Sequence, residues 1–133
     1  MTKSFWYTLS GNSMAPALRD GESIFLEPLT GAPRRGDVVV LRLPTGWVVH
    51  RVLRANGNMV VTRGDACVRA DPGMGRDAVL YRATQVLRDG QPHPIPAPSP
   101  ALRLQLRRAL ARVPRVASLL RGLRRALVAE GLA

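Results

Sequence analysis

Histidine and cysteine are scarce in this sequence, which limits the metal chemistry open to it. The single cysteine, Cys67, excludes an internal disulfide, and only His50 and His93 accompany it as nitrogen or sulfur ligands. We therefore expect neither a metal nor another cofactor. The sequence also lacks an apolar run of the roughly 18–20 residues that cross a bilayer. Its first residues lack the apolar core of a signal peptide, so we expect a cytoplasmic or peripheral membrane location.

Glycine, proline and arginine are abundant instead. The 133 residues include 12 glycines and 11 prolines, which favours a turn-rich β architecture over a plain helical bundle. Hydrophobic residues make up 46% and charged residues 22%, a composition typical of a folded globular chain. The length suits one compact domain, or one small domain with an appendage.

Positive charge is concentrated towards the C-terminus. The net charge is +11, and residues 101–133 contribute +7 of it through eight arginines and one acid. Before them, residues 91–100 read QPHPIPAPSP, where alternate prolines favour a stiff, extended linker. We therefore divide the chain into a β-domain at 1–90, a Pro-rich linker at 91–100 and a basic helical tail at 101–133.

The β-domain contains several short β-branched runs separated by turn signals. Pro44-Thr45-Gly46 and Asn56-Gly57 each predict a hairpin. Ala78–Leu87 is ambiguous between helix and strand, and we interpret it as a strand. Helix in this domain is expected to be limited to about one turn after Ser13. The predicted strands are Phe5–Leu9, Ser23–Glu27, Asp37–Leu43, Gly46–Arg54, Asn58–Arg63 and Ala78–Leu87.

The tail shows helical rather than β periodicity. Two apolar stripes recur at helical spacing, each opposed by arginines, and Pro114 separates them. We therefore predict a mainly β protein followed by two C-terminal amphipathic α-helices. The first stripe is Leu102, Leu106, Ala109, Leu110 and Val113, and the second is Val116, Leu119, Leu120, Leu123 and Leu127.

Ser13 lies in a predicted tight turn, Gly11-Asn12-Ser13-Met14-Ala15-Pro16. Glycine before it and proline after it let the backbone bend sharply, which exposes the hydroxyl and aligns nearby amides. That arrangement suits a nucleophile with its own oxyanion donor. It also suits a serine that caps a helix, and these residues alone leave both interpretations open.

His50 and two acids are the other residues with chemical potential. By strand alternation His50 shares a face with Val48 and Val52, so it is either a half-buried general base or a hydrogen-bonded core residue. Asp65 and Asp71 lie in the segment that follows a predicted strand. Taken alone, such carboxylates are usually turn caps.

Five motifs occur in a fixed order along the predicted β-domain: Ser13-Met14-x-Pro16, Asp20-Gly21, Arg35-Gly36-Asp37-Val38-Val39-Val40, His50-Arg51-Val52 and Thr62-Arg63-Gly64-Asp65 with a later Asp. Taken together, they resemble the type I signal peptidase family, which includes relatives such as the LexA-like self-cleaving repressors. The resemblance covers about residues 9–88. It implies a signal-peptidase/LexA-like β-domain with peptidase activity, which cleaves after small side chains in an extended substrate.

The resemblance also implies which residues perform the chemistry. The usual bacterial enzymes pair the serine with a lysine, but the only lysine here is Lys3, upstream of the first strand. His50 occupies the lysine position, as in the archaeal and endoplasmic-reticulum-type branch. Ser13 is then the nucleophile and His50 the general base. In that branch the triad acid comes six residues after the Gly-Asp aspartate, which makes it Asp71 and leaves Asp65 as a supporting acid.

The oxyanion site is expected to use the Ser13 backbone N–H together with Asn12. Here the sequence departs from the family pattern, because the hydroxyl usual two residues before the nucleophile is replaced by Gly11. A second departure is Ala66-Cys67-Val68 in place of the usual Asn-rich stretch. Cys67 is interpreted as a packing residue rather than a second nucleophile.

The sequence therefore predicts a serine endopeptidase of signal-peptidase type, whose partner is a leader or propeptide with small residues before the cut. The alternative is a catalytically weak relative that serves as a binding or regulatory module. Residues 101–128 are expected either to bind an anionic membrane surface or to pack on the domain or another subunit. Nucleic acid is a less favoured partner, because the tail has no aromatic residue for base stacking.

Overall fold

The computed structural model describes residues 3–111, which form an antiparallel sheet and one C-terminal α-helix, α1 (Pro100–Ala111). A short 3₁₀ helix spans Arg76–Ala78. The mainly β prediction is therefore confirmed. The strands are β1 (Phe5–Thr8), β2 (Ser23–Pro28), β3 (Val38–Leu43), β4 (Gly46–Asn56), β5 (Met59–Arg63), β6 (Met74–Gly75), β7 (Val79–Arg88) and β8 (Gln91–Pro94).

Strand β7 joins the two halves of the sheet. The strands are ordered β1-β2-β7-β3-β4-β5-β6, and β8 pairs with β7 off this path. On one side β7 pairs with β2, and on the other it pairs with β3, which begins the β3–β4–β5 meander. The insertion of β7 between β2 and β3 thus links the first two strands, and the turn between them, to the strands that follow.

The buried side chains form two clusters on opposite faces of the sheet. Strand β3 contributes to both, because successive side chains of a strand alternate between faces. Val38 and Val40 belong to the first cluster, and Val39 and Leu41 belong to the second. All four are at most 2% exposed, so β3 is buried on both faces.

The six predicted strands are all present, and the ambiguous segment Ala78–Leu87 forms β7 apart from its first residue. Two strands were not predicted. One is β6, which has only two residues and therefore no periodicity to detect. The other is β8, which lies in the segment assigned to the Pro-rich linker.

The linker prediction is wrong for residues 91–94, which pair with β7 through a two-residue turn at Asp89-Gly90. Both turn residues have positive φ, 52° and 72°, as a type I′ hairpin requires. The sheet tolerates Pro92 and Pro94 because every second backbone N–H of an edge strand points away from the neighbouring strand. Prolines two residues apart therefore lack only N–H groups that would make no hydrogen bond to β7. The sheet therefore extends past the boundary predicted at residue 90.

The described part of the tail contains one α-helix where the sequence predicts two. In α1, Leu102 and Leu106 are half-buried, while Leu104 is 48% exposed. The predicted second helix, with its stripe from Val116 onward, lies outside the described residues. Within residues 3–111, no helix combines the length and the apolar character needed to span a membrane.

An ion pair joins the end of β7 to the residue before β2. The Arg88 guanidinium donates to both carboxylate oxygens of Glu22, at 2.7 and 3.0 Å, and to the carbonyl of Ala17 at 2.6 Å. The hydrogen bond from Arg88 lowers the pKa of Glu22 below its ordinary value of 4.5, although desolvation opposes the shift. Glu22 therefore stabilises the fold when it is ionised.

We expect Glu22→Gln to lower the free energy of unfolding at pH 7 by up to about 1 kcal/mol, the upper range for a partly exposed pair. The difference in unfolding free energy between the variant and wild type should narrow as the pH falls through the lowered pKa of Glu22 in the folded state. At lower pH the Glu22 carboxyl is protonated in the folded protein, and the ion pair no longer contributes stability. Urea unfolding at several pH values measures this. Glu27→Gln, at an exposed position of β2, is the control and should show no such trend.

Candidate active site

Ser13 lies in the loop between β1 and β2, which two side chains hold closed. The Asp20 carboxylate accepts from the Gly11 N–H at 2.7 Å, and the Asn12 side-chain oxygen accepts from the Asp20 N–H at 3.2 Å. Gly11 has a φ of +90°, a conformation that residues with a side chain rarely adopt. A glycine in place of the family's hydroxyl residue thus fits the backbone of this loop.

The residues after Ser13 anchor it to the core. Met14 is 1% exposed and Leu18 is fully buried, and both belong to the first core cluster. Two backbone hydrogen bonds form the expected turn, from the Ala15 N–H to the Asn12 carbonyl at 3.1 Å and from the Leu18 N–H to the Met14 carbonyl at 3.0 Å, and no helix follows. The Ala15-Pro16 peptide bond is cis. The Ser13 hydroxyl is therefore carried on a turn fixed by buried side chains.

The His50 imidazole, on β4, lies between Ser13 and Asp71. Its Nε2 is 3.1 Å from the Ser13 Oγ, and its Nδ1 is 2.6 Å from the Asp71 Oδ2. The residue is 8% exposed, so water has little access to compete for either contact. The structure thus brings together three residues that lie 37 and 21 positions apart in the sequence.

Thr62 holds the Asp71 carboxylate in place. The Thr62 hydroxyl donates to the same Oδ2 that faces His50, at 2.6 Å, and the Asp71 N–H donates to the Thr62 carbonyl at 2.8 Å. Thr62 is 2% exposed and lies opposite Val52 in the β4–β5 ladder. A carboxylate oxygen only accepts hydrogen bonds, so the contact with Asp71 assigns the His50 Nδ1 as a donor and leaves Nε2 of the neutral ring as an acceptor.

Asp65 does not contact His50 and instead pairs with Arg51. The Arg51 Nε and one terminal nitrogen donate to the two Asp65 oxygens at 2.9 and 3.0 Å. Arg51 is 6% and Asp65 7% exposed, so neither charge is hydrated and each depends on the other. Arg51 also donates to the carbonyls of Gly36 and Pro96, at 3.1 and 2.8 Å. The pair fixes the loop that follows β5 to the neighbouring strand β4.

Gly64 is the point where this loop meets the serine. The Ala66 N–H donates to the Ser13 carbonyl at 2.8 Å, which draws the loop against the turn. A Cβ on Gly64 would lie 2.7 Å from the Ser13 carbonyl oxygen and 3.0 Å from the His50 Nε2. Only glycine leaves room for Ser13 and His50 to approach each other here.

We expect Gly64→Ala to separate Ser13 from His50 and to lower any activity that needs both by about 100-fold, since a 1 Å misplacement costs that much. The rate of covalent labelling of Ser13 by a fluorophosphonate measures the effect. Gly75→Ala is the matched control, because a Cβ there meets no atom within 4 Å and its φ of −67° suits alanine. Equal rates for the two variants would show that the Gly64 contact does not position the pair.

The two predicted oxyanion donors, the Ser13 backbone N–H and the Asn12 side chain, differ in their hydrogen bonds. In the described part of the chain, the Ser13 N–H donates no hydrogen bond. The Asn12 side-chain oxygen, by contrast, accepts from Asp20 within the loop. An oxyanion role for the Asn12 amide stays a prediction.

Cys67 lies beside the site. Burial, together with the charge of Asp71, raises the pKa of its thiol above the ordinary 9.0. The thiol is therefore protonated at neutral pH, which makes it a poor nucleophile and supports the interpretation of a packing residue. Among residues 3–111, no three His, Cys, Asp or Glu side chains are grouped to hold a metal ion.

Thr62, Gly64 and Arg51 belong to the sequence motifs, but sequence reasoning assigned them no role. The cross-strand pairing of Thr62 with Val52, on the face of His50, was the available signal for the threonine. Arg51 follows His50 on β4 and therefore lies on the opposite face, where a buried charge requires a partner such as Asp65. Nothing in the sequence pattern indicates the close approach at Gly64.

Comparison with protein-family models matches residues 1–62 to the Peptidase S24-like family. The match supports the LexA/signal peptidase-like superfamily. The matched residues include Ser13 and His50 but end at Thr62, before Asp65 and Asp71. No curated protein and no solved structure matches the chain. The Ser-His branch of the superfamily therefore stays a prediction.

Proposed function

We propose that this protein is a serine endopeptidase of signal-peptidase type that uses Ser13, His50 and Asp71. The observation that carries the proposal is the chain of contacts from the Ser13 Oγ to the His50 Nε2, 3.1 Å, and from the His50 Nδ1 to the Asp71 Oδ2, 2.6 Å. Both distances are within hydrogen-bond reach, which proton transfer through the imidazole requires.

In the acylation step, the Ser13 Oγ attacks the carbonyl carbon of the substrate peptide bond while its proton passes to the His50 Nε2. The Asp71 carboxylate stabilises the resulting imidazolium and keeps Nδ1 as the donor. The imidazolium then gives its proton to the leaving amine, and the peptide C–N bond breaks to form an acyl-enzyme. Water, deprotonated by the same imidazole, hydrolyses the ester and restores Ser13.

The Ser13 N–H, unpaired within residues 3–111, is the proposed oxyanion donor. It stabilises the negative oxygen that develops as the carbonyl carbon becomes tetrahedral. Removal of one such donor costs roughly 10²–10³-fold in rate in other hydrolases. With Gly11 in place of the family's hydroxyl residue, we expect slow turnover rather than none.

The proposed substrate is a leader or propeptide with small residues before the cut, held in an extended conformation. Support comes from the resemblance to signal peptidases and from the Peptidase S24-like match over residues 1–62. Peripheral attachment to an anionic membrane through residues 101–128 is part of the proposal. In α1 the exposed Arg103, Arg107 and Arg108 support it.

The alternative function is a binding or regulatory module that retains the fold but not effective catalysis. It is favoured by Gly11, which supplies no hydroxyl at the position where the family often has one. Reactivity of the Ser13 hydroxyl distinguishes the two functions.

We expect a fluorophosphonate probe to label the wild-type protein and not Ser13→Ala, because only a serine activated by a base attacks phosphorus rapidly. Asp71→Asn should lower the labelling rate by roughly 10²–10⁴-fold, since an amide favours the wrong imidazole tautomer. Mass spectrometry of the intact protein measures both rates.

Ser10→Ala is the matched control, because Ser10 is exposed and lies three residues before the nucleophile. It should be labelled as fast as wild type. A folded wild-type protein that is not labelled at all would contradict the enzyme and favour the binding module.

A further inference from the structure

Two adjoining cavities lie between α1 and the sheet, away from Ser13. Their volumes are about 90 and 160 Å³, and both are lined by Arg35, Leu53, Arg63 and Arg103. The larger one is also lined by Leu106 and Arg107, and by Val68 at one side. The β-domain and the tail helix thus supply arginines to a single recess.

The positive charge in this recess is not compensated within the described chain. Among residues 3–111, the side chains of Arg35, Arg63, Arg103 and Arg107 make no ion pair or hydrogen bond. The one carboxylate in the lining, Asp65, uses both oxygens for Arg51. The recess is therefore lined by four arginines and, among residues 3–111, by no carboxylate that is free of a partner, which favours the binding of an anion.

The chemistry of the recess fits a phosphate group. Arginine presents a planar fork of donors that binds phosphate oxygens in pairs, and several forks together match a tetrahedral dianion. Leu53, Val68 and Leu106 add apolar side chains to the lining of the larger cavity. The larger cavity equals the volume of about five water molecules, which is room for a phosphate group.

We propose that Arg35, Arg63, Arg103 and Arg107 form a binding site for a phosphate group, which fastens α1 to the β-domain. The proposal does not depend on the peptidase activity. His50 and Arg51 are consecutive on β4, so their side chains point to opposite faces of the strand, and the recess lies on the side of Arg51. Phosphate binding and serine reactivity are therefore separately measurable.

The test is titration of the full chain with inorganic phosphate by calorimetry, at constant ionic strength set with sodium chloride. We expect saturable binding of one phosphate per chain. Arg35→Gln with Arg103→Gln should weaken it by about tenfold or more, because each substitution removes charge-assisted hydrogen bonds. Both residues are exposed, so the variant should fold, and its Tm without phosphate checks this.

The matched control is Arg42→Gln with Arg54→Gln, which removes the same charge at two exposed positions outside the recess. The control should bind phosphate as wild type does. If both double variants lose the same affinity, or if chloride alone reproduces the effect, the binding is diffuse attraction to a chain of net charge +11 and the site does not exist.

Vesicles distinguish the source of the phosphate group. Phosphatidylcholine vesicles with phosphatidic acid present a phosphate monoester, and binding that is lost in Arg35→Gln with Arg103→Gln and displaced by inorganic phosphate indicates a lipid headgroup. Binding of inorganic phosphate without such vesicle binding indicates a soluble phosphate compound. The proposal would be overturned if neither the substitutions nor inorganic phosphate changed vesicle binding and calorimetry detected no binding of inorganic phosphate.

Discussion

The candidate site depends on the His50 imidazole, because each of its two nitrogens contacts another side chain of the site. One nitrogen faces the Ser13 hydroxyl and the other faces the Asp71 carboxylate, and these two groups lie on different loops. The ring cannot rotate without losing both contacts. Each loop is separately fixed, the first by the buried Met14 and the second by Thr62. The relative positions of the three side chains are therefore held by packing and hydrogen bonds within the protein itself.

Strand β4 serves two purposes with consecutive residues. His50 is directed to the site, whereas Arg51, on the other face, forms a buried ion pair with Asp65. Removal of one partner of such a pair typically costs about 3–5 kcal/mol, because it leaves an unpaired buried charge. Asp65 and Asp71 follow β5 within the same loop, so the ion pair that stabilises the loop also restrains the carboxylate that contacts the imidazole.

The sequence predicts most of the sheet because β-branched runs and Asn-Gly or Pro-x-Gly turns are local signals. The sequence does not predict β8, because proline usually marks an irregular segment. Only the pairing with β7 shows that every second residue of β8 needs no N–H to form the sheet. For the site, Ser13 and His50 carry local signals, but alternation along one strand cannot show that they meet. The choice of Asp71 over Asp65 came from the family resemblance, and it is Asp71 that the structure brings against His50. Thr62 and Gly64 act through contacts between segments distant in the sequence, which one strand's pattern does not encode.

The tautomer of His50, read from the ¹⁵N chemical shifts of its imidazole in solution, tests the proposed Ser13–His50–Asp71 arrangement most directly. His93→Gln leaves His50 as the sole histidine, so its signals need no further assignment. We expect the neutral ring to carry its proton on Nδ1, with Nε2 unprotonated towards Ser13, and we expect Asp71→Asn to disturb this state. A neutral ring protonated on Nε2 would contradict the proposed arrangement, since that nitrogen would have no lone pair with which to accept the serine proton.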